Sequence, residues 1–406
     1  MKKRIYLDHA ATTYIDSRVK KAMGEFLIEK FGNPSSIYKE GRIAKQAIEE
    51  SRKRIAKIIG AESEEIIFTN GGTESDNLAI LGVAKRLARK VKPHIITTKI
   101  EHHAVLNPCK FLERQGFQVT YLDVGQNGII NPDDLLKVLR PETILISIMY
   151  ANNEIGTIQP ISEVSRIIKN FRNRQISNKS KILNTKYKIP LFHTDACQAP
   201  SYLDINVKKL GVDFMTFNGS KIYGPKGIGV LYIKKGIEIQ PILFGGEQEN
   251  SLRPGTENVP GIIGLAEALK ISQKEKTRES RRLTALRDYF IKRLLSEIPN
   301  VFLNGHPKKR LANNINVSIL GVEGESVVLY LDKAGISCST GSACTSSKLE
   351  PSHVIMALGR SHQYAHGSIR FTLGKRTKKS DIDYTMKILI KSVNKLRNIS
   401  AVKIKI

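Results

Sequence analysis

No apolar run in this 406-residue chain approaches the roughly 20 residues that a bilayer-spanning helix needs. The longest mostly apolar stretch, residues 143–153, suits a buried strand instead. Cysteine is scarce, with four residues at positions 109, 197, 338 and 344. No two stand in Cys-x-x-Cys spacing, which argues against a zinc ribbon or a thioredoxin-like motif. Four in a chain of this length form no disulfide scaffold, so a reducing cytosol is the expected compartment. Acid is short too: 38 Asp and Glu stand against 65 Lys and Arg, a net charge of +27. Thirty Gly and fifteen Pro are ordinary numbers and exclude collagen-like and Pro/Gly-rich disordered classes. The basic start (Lys2, Lys3, Arg4) meets Asp8 and His9 before an apolar h-region can form, so no secretory signal is expected.

What is present describes a globular protein. Hydrophobic residues make up 41% and charged residues 25%, enough to bury a large core. The length favours two or three domains. The positive charge raises a nucleic-acid reading, but a lysine-rich solvated surface is the better one, because net charge speaks to solubility and non-specific binding.

Short β-rich runs alternate with helical patterns through the middle of the chain. Strands are expected at 66–69, 95–98, 118–122, 143–149, 191–194, 212–217 and 228–233. Helices are expected at about 74–90, 103–114, 132–139 and 161–169. Such alternation predicts an α/β domain with a mainly parallel sheet covered by helices on both faces. After Pro260 the pattern changes to a long helix (261–298), strands near 314–320, 335–338 and 368–373, and helices near 324–333 and 381–396. The expected division is a large domain over 16–260 and a smaller α+β domain made of 1–15 plus 261–406. Residues 170–188 carry six Lys or Arg, no acid and no clear period, and read as an exposed basic insertion loop.

Three motifs carry chemistry. Asn70-Gly71-Gly72-Thr73 joins a strand to a helix, and its glycines and free N–H groups suit a phosphate. It is neither a Walker A loop nor a Gly-x-Gly-x-x-Gly fingerprint, and such a turn can equally be structural. Asp195 follows a strand and suits a pyridinium N–H or, alternatively, a helix cap. Lys221 sits between a strand and a Gly-Pro-Lys-Gly turn, where a buried amine would become a nucleophile for carbonyl carbon.

Phosphate cup, Asp and Lys occur in the order of fold-type I pyridoxal phosphate (PLP) enzymes. Several strings make the resemblance specific: Tyr6-Leu7-Asp8 with Ala11-Thr12-Thr13, Phe31-Gly32-Asn33-Pro34-Ser35-Ser36, Gly72-Thr73-Glu74-Ser75-Asp76-Asn77 and Glu101-His102. Others are Asn152-Asn153-Glu154-Ile155-Gly156, Lys221-Ile222-Tyr223-Gly224-Pro225, Arg253-Pro254-Gly255-Thr256, Gly341-Ser342-Ala343-Cys344 and Ser368-Ile369-Arg370-Phe371. Together they resemble the cysteine desulfurases of the IscS/NifS kind, within the class V aminotransferase group, almost from end to end.

The resemblance implies that Lys221 carries PLP, that Asp195 pairs with its ring nitrogen and that Gln198 bonds its hydroxyl. It implies that His102 stacks on the ring as acid or base, that Asn153 lines ring and substrate pocket, and that Gly72 and Thr73 cradle the phosphate. Thr256 would reach the phosphate of the other subunit of a homodimer. Arg370, with Asn33, would bind the carboxylate of L-cysteine, a task that suits a bidentate Arg. Cys344 would receive the sulfur as a persulfide and pass it to an iron–sulfur scaffold or a tRNA-thiolation relay. Its small and polar neighbours suit a swinging loop. No resident metal is implied, Cys344 being at most a transient iron–sulfur ligand.

Cys109 and Cys197 read as packing residues, and a Cys338–Cys344 resolving pair is the less favoured reading. One departure stands out: the usual Ser-x-His-Lys is Asn218-Gly219-Ser220-Lys221 here. Ser220 then takes the phosphate-holding place of the His, and weaker PLP retention is expected. The alternatives are a selenocysteine lyase or another class V aminotransferase and, from a different class, a non-catalytic basic RNA-binding or scaffold protein on the same fold. RNA contact is not favoured, no membrane partner is expected, and the expected location is the cytoplasm.

Overall fold

The computed structural model describes residues 4–88, 93–177, 189–340 and 351–399. Among these, seven strands form one sheet: β2 (Ile66–Thr69), β3 (His94–Thr98), β4 (Gln118–Leu122), β5 (Thr143–Ser147), β6 (Leu191–Asp195), β7 (Phe214–Asn218) and β8 (Gly229–Ile233), with β1 (Ile5–Tyr6) lying elsewhere. The order across the sheet is β2-β8-β7-β6-β5-β3-β4. Every pairing is parallel except the two made by β8.

Side chains alternate across the pleat, so each strand feeds two cores. In β2, Ile66 and Phe68 pack on one face with Val19, Ile48 and Ile55, whereas Ile67 packs on the other with Leu78, Val83 and Val105. Six of the seven strands are buried along their whole length, as a sheet covered on both faces requires. Only β4, at the edge, carries an exposed residue.

Three further strands, β9 (Val301–Leu303), β10 (Asn314–Ile319) and β12 (Ser368–Thr372), form an antiparallel sheet in the order β12-β10-β9. β1 pairs in parallel with the short β11 (Ile336–Ser337). Around them the helices Gly324–Lys333 and Lys379–Ile399 bury Val327, Leu331, Met386 and Leu389 in a separate core.

The helix Val259–Glu297 joins the two units. Its 39 residues span about 58 Å. It opens with Asn258, whose side chain accepts from Gly261 N (3.0 Å), and with Pro260 in its first turn. Ile262, Leu265 and Leu269 pack into the large-sheet core, whereas Leu283, Phe290 and Leu294 pack into the smaller one. A division at residue 260 therefore cuts ahead of a helix half that still belongs to the large core.

The basic insertion also needs correcting. The helix expected at 161–169 runs over Ile161–Ser177, well into the segment read as a loop. Arg172 is the reason. Its guanidinium is largely buried, donates to Pro190 O and pairs with the buried carboxylate of Asp213. A buried acid thus uses one of the cations that the sequence seemed to leave in solvent. Residues 178–188 lie outside the described residues. Among the described residues no helix is long and apolar enough to cross a membrane.

Candidate active site

In a parallel sheet the strand carboxyl ends gather on one edge, and ligands bind in the crevice outside it. The predicted residues collect there. Gly72 and Thr73 follow β2, His102 follows β3, Asn153 follows β5, Asp195 ends β6 and Lys221 follows β7. The antiparallel β8 brings Gly227 and Ile228 to the same edge from its amino end. A cavity of about 1020 Å³ is lined by all of these and by Gln198, Ser220 and, from β12 of the smaller sheet, Arg370.

The cup is built by backbone. The helix Gly72–Leu87 starts two residues earlier than expected, so Gly72 is itself the first helical residue. Gly71 is the N-cap, with φ 152°, and provides no capping side chain. The N–H groups of that first turn are left for a ligand. A Cβ on Gly72 would lie 2.7 Å from Cys197 Sγ and 3.0 Å from Asn218 Nδ2. A Cβ on Gly229 would strike the Gly71 backbone at 2.6 Å. Both positions must be glycine for the cup to sit against β7 and β8.

Asp195 is 7% exposed, and its Oδ1 accepts from Cys197 N (2.8 Å). Behind it lies a dry polar layer. His193 bonds Ser147 Oγ (2.8 Å) and Thr216 Oγ1 (3.1 Å) through its two ring nitrogens. Burial lowers its pKa to about 4, so the ring is neutral. Its Nε2 lies 3.5 Å from Asp76 Oδ1. Burial, and then the neighbouring Asp195, push the Asp76 carboxyl well above the usual carboxylate range.

His102 caps the helix His103–Arg114: Ala104 N–H donates to its Nδ1 at 3.1 Å. With Nδ1 accepting, the ring proton sits on Nε2. Burial holds the His102 pKa below its ordinary value. The preceding Glu101 is fully buried, and its Oε1 accepts from Thr98 Oγ1 (2.7 Å) and Met149 N (2.9 Å). Burial raises its pKa to about 8.

Lys221 Nζ donates to the carbonyl of Ala11. Gln198 Nε2 donates to the carbonyl of Ala10 (3.1 Å). The N-terminal segment thus closes over the cavity, and Ala10, Ala11 and Thr12 line it. Ser220 Oγ donates to Asn218 Oδ1 (3.1 Å), while Asn218 Nδ2 donates to Cys197 Sγ (3.3 Å). The two replaced residues therefore bond to each other beside the cup. Arg370 is 3% exposed. Its Nη1 donates to Asn153 O (3.0 Å), its Nη2 to Asp8 Oδ1 (2.8 Å), and its Nε has no partner. A buried guanidinium N–H without a partner, on a cavity wall, suits a carboxylate ligand.

These residues fit PLP: an uncapped helix N-terminus for phosphate, a carboxylate at a strand end, an amine across the cavity and an imidazole on a third strand end. Two predicted residues do not line the cavity. Asn33 is exposed, and its side chain accepts from Ser35 N (2.9 Å) in a local turn. Thr256 is exposed as well. Cys344 lies outside the described residues. Cys109 and Cys338 are buried, and burial raises both thiols to about 12, as packing residues behave. Cys197, by contrast, lines the cavity. The sequence reading gave no role to Asp8 or Asp76, although both stood in quoted strings, and it passed over His193.

Residues 5–385 match the family described as aminotransferase class-V. The chain is 55% identical to the cysteine desulfurase IscS of Dictyoglomus turgidum, over 99% of this chain and 98% of that protein. It is 50% identical to the cysteine desulfurase IscS of Methanosarcina thermophila, over 98% and 94%. Its backbone superposes on a solved NifS-like protein with a TM-score of 0.86 and 36% identity, covering 96% of this chain and 99% of that one. Identity of this degree along nearly the whole length leaves one placement: the chain belongs to the class V aminotransferases, among the cysteine desulfurases of the IscS/NifS kind.

Proposed function

We propose that this protein is a PLP-dependent L-cysteine desulfurase that releases L-alanine and leaves the sulfur as a persulfide on Cys344. The observation that carries the reading is the convergence of Lys221, Asp195, His102 and Arg370 on one cavity beside an uncapped, glycine-lined helix N-terminus. PLP, when bound, supplies the electron sink that lets a proton leave the substrate Cα.

Gly72, Thr73 and Ser220 hold the phosphate. Asp195 keeps a proton on the ring nitrogen, and Gln198 holds the ring hydroxyl. Lys221 binds the cofactor through its amine and moves the proton at Cα. His102 presents Nε2–H to the cavity, because its Nδ1 is committed to Ala104 N. It therefore serves as a hydrogen-bond donor in its resting form. Arg370, which lines the cavity from β12, takes the substrate carboxylate. Asn153 lines the pocket, and its carbonyl steadies Arg370. The Cys344 thiolate attacks the substrate sulfur, forming an S–S bond as the carbon–sulfur bond breaks.

The working unit is a homodimer in which Thr256 reaches the partner's phosphate. Thr256 is exposed and absent from its own cavity, and Phe31 (73% exposed), Ile37 (89%) and Phe244 (83%) offer apolar surface for a second copy to cover. The persulfide passes to an acceptor, an iron–sulfur scaffold or a tRNA-thiolation relay. We infer a cytoplasmic location, because a free catalytic thiol persists where disulfides are kept reduced.

The test is release of alanine and sulfide from L-cysteine, with Cys344→Ala beside the wild type. Wild-type turnover with loss of sulfide release in the variant supports the reading. Undiminished sulfide release by Cys344→Ala removes that residue from the mechanism. A sample that takes up no PLP ends the reading altogether. Selenocysteine used in preference to cysteine would move the substrate to the selenium analogue.

A further inference from the structure

The guanidinium that faces the substrate carboxylate already holds a carboxylate. Arg370 Nη2 donates to Asp8 Oδ1 at 2.8 Å, and the ion pair is largely out of water, the side chains being 4% and 16% exposed. Asp8 cannot easily move aside. β1 fixes the chain just before it through the pairs Ile5↔Ile336 and Tyr6↔Ser337, and Asp8 itself bridges Thr372. Tyr6 Oη donates to Asp8 O (3.0 Å), and Ala10 N donates to Thr372 Oγ1 (2.9 Å). Arg370 is equally fixed. Its backbone pairs with Asn316 on one side and Ser339 on the other, and its Nη1 is bonded to Asn153 O. Glu154, buried near Arg370, is a second acid on that side, held by the Ser352 hydroxyl at 2.6 Å.

A substrate carboxylate arriving at Arg370 from the cavity therefore meets a guanidinium already paired with a carboxylate. It must also share that group with a fixed like charge in a site where water screens poorly. A bare guanidinium would bind an α-carboxylate tightly, and the alanine formed carries the same carboxylate as the cysteine consumed. Uniformly tight binding of both lowers KM without speeding the chemistry, and it slows departure of the product.

We propose that Asp8 is a specificity-determining positioning residue: it orients Arg370 and, by partly neutralising it, caps the affinity for the α-carboxylate so that L-alanine leaves. The proposal rests on the assignment of Arg370 to the substrate carboxylate and adds to it. A purely structural Asp8 predicts the opposite sign on substitution, because a loosened Arg370 would bind carboxylates less well.

The experiment is calorimetric titration of the PLP-loaded protein with L-alanine and, in parallel, with L-alaninamide, which lacks the carboxylate. Asp8→Asn keeps an acceptor for Arg370 Nη2 and removes the charge. Its Kd for L-alanine should fall by about tenfold, the change expected from removing a nearby like charge. Its Kd for L-alaninamide should stay within about twofold of wild type, well short of the tenfold that one such charge supplies. An alanine Kd that is unchanged or higher in Asp8→Asn overturns the proposal, as does equal tightening toward both ligands. Asp8→Ser, measured the same way, replaces the Asn variant if that one does not fold. Arg370→Gln separates the underlying assignment. If it erases the preference for alanine over alaninamide, Arg370 is the carboxylate group and the Asp8 result stands on its own. If the preference survives, the assignment of Arg370 fails and the Asp8 proposal falls with it.

Discussion

Replacing Glu101 by Gln should make the protein more stable in alkali, by an amount the structure bounds. Glu101 is 0% exposed and sits directly before His102. Its Oε1 takes the Thr98 hydroxyl and the Met149 N–H, while its Oε2 has no partner. Burial raises its pKa from 4.5 to about 8. Between those two values the folded protein holds one proton that the unfolded chain has lost. Stability therefore falls as pH rises, at about 1.4 kcal/mol per pH unit. The contribution is fully present below 4.5 and is gone above about 8, for a total of at most about 5 kcal/mol. Water entering on ionisation returns part of that sum. Gln matches the protonated acid in shape and keeps an oxygen for Thr98 and Met149, so the variant should lack this slope. The assay is urea unfolding of wild type and Glu101→Gln at several pH values from 5 to 9, compared as a difference so that other titrating groups cancel. The two should match near pH 5, and the variant should gain several kcal/mol by pH 9, within the bound set by a pKa of about 8. A difference that does not change with pH over that range refutes a neutral Glu101 beneath the site.

Two further outcomes follow from particular contacts. Ser220→Ala should weaken PLP retention by about tenfold or more, the worth of one hydrogen bond to a charged group, read as a fluorescence or dialysis Kd for the cofactor. An unchanged Kd would show that Ser220 donates only to Asn218, the bond it makes here at 3.1 Å. Arg172→Ala should cost about 2 kcal/mol in unfolding free energy, because it removes one charged donor from the buried carboxylate of Asp213 and leaves it Lys234 and the Phe192 N–H. A cost near zero would mean that this part of the basic segment is solvated after all.

Much of the large unit was legible because its strands are apolar on both faces and its turns are marked by Gly and Pro. The strands expected at 118–122, 191–194 and 228–233 differ from those observed by one residue or less. The basic segment was misread for a definite reason. Arg172 looks like surface charge until its distant partner, Asp213, is known. The phosphate cup, Asp195 and Lys221 were visible because their chemistry is local, each a strand end followed by a turn of special composition. Asp8, Asp76 and His193 left no such mark. Each acts through a neighbour distant in sequence: Asp8 and Arg370 are 362 positions apart, and His193 on β6 lies 3.5 Å from Asp76 on the helix Gly72–Leu87.

By itself the sequence determined an α/β chain, the order of the glycine cup, the carboxylate and the amine, and the family those residues belong to. It did so because periodicity, turn residues and short motifs are written in neighbouring positions. The tertiary structure alone decided which charges are satisfied. It set Asp8 against Arg370, fixed the tautomer of His102 through Ala104, and buried Glu101 and Asp76 where exclusion of water raises the pKa of both carboxyls. Ionisation and affinity depend on distances and exclusion of water, and those exist only once strands far apart in the chain lie side by side.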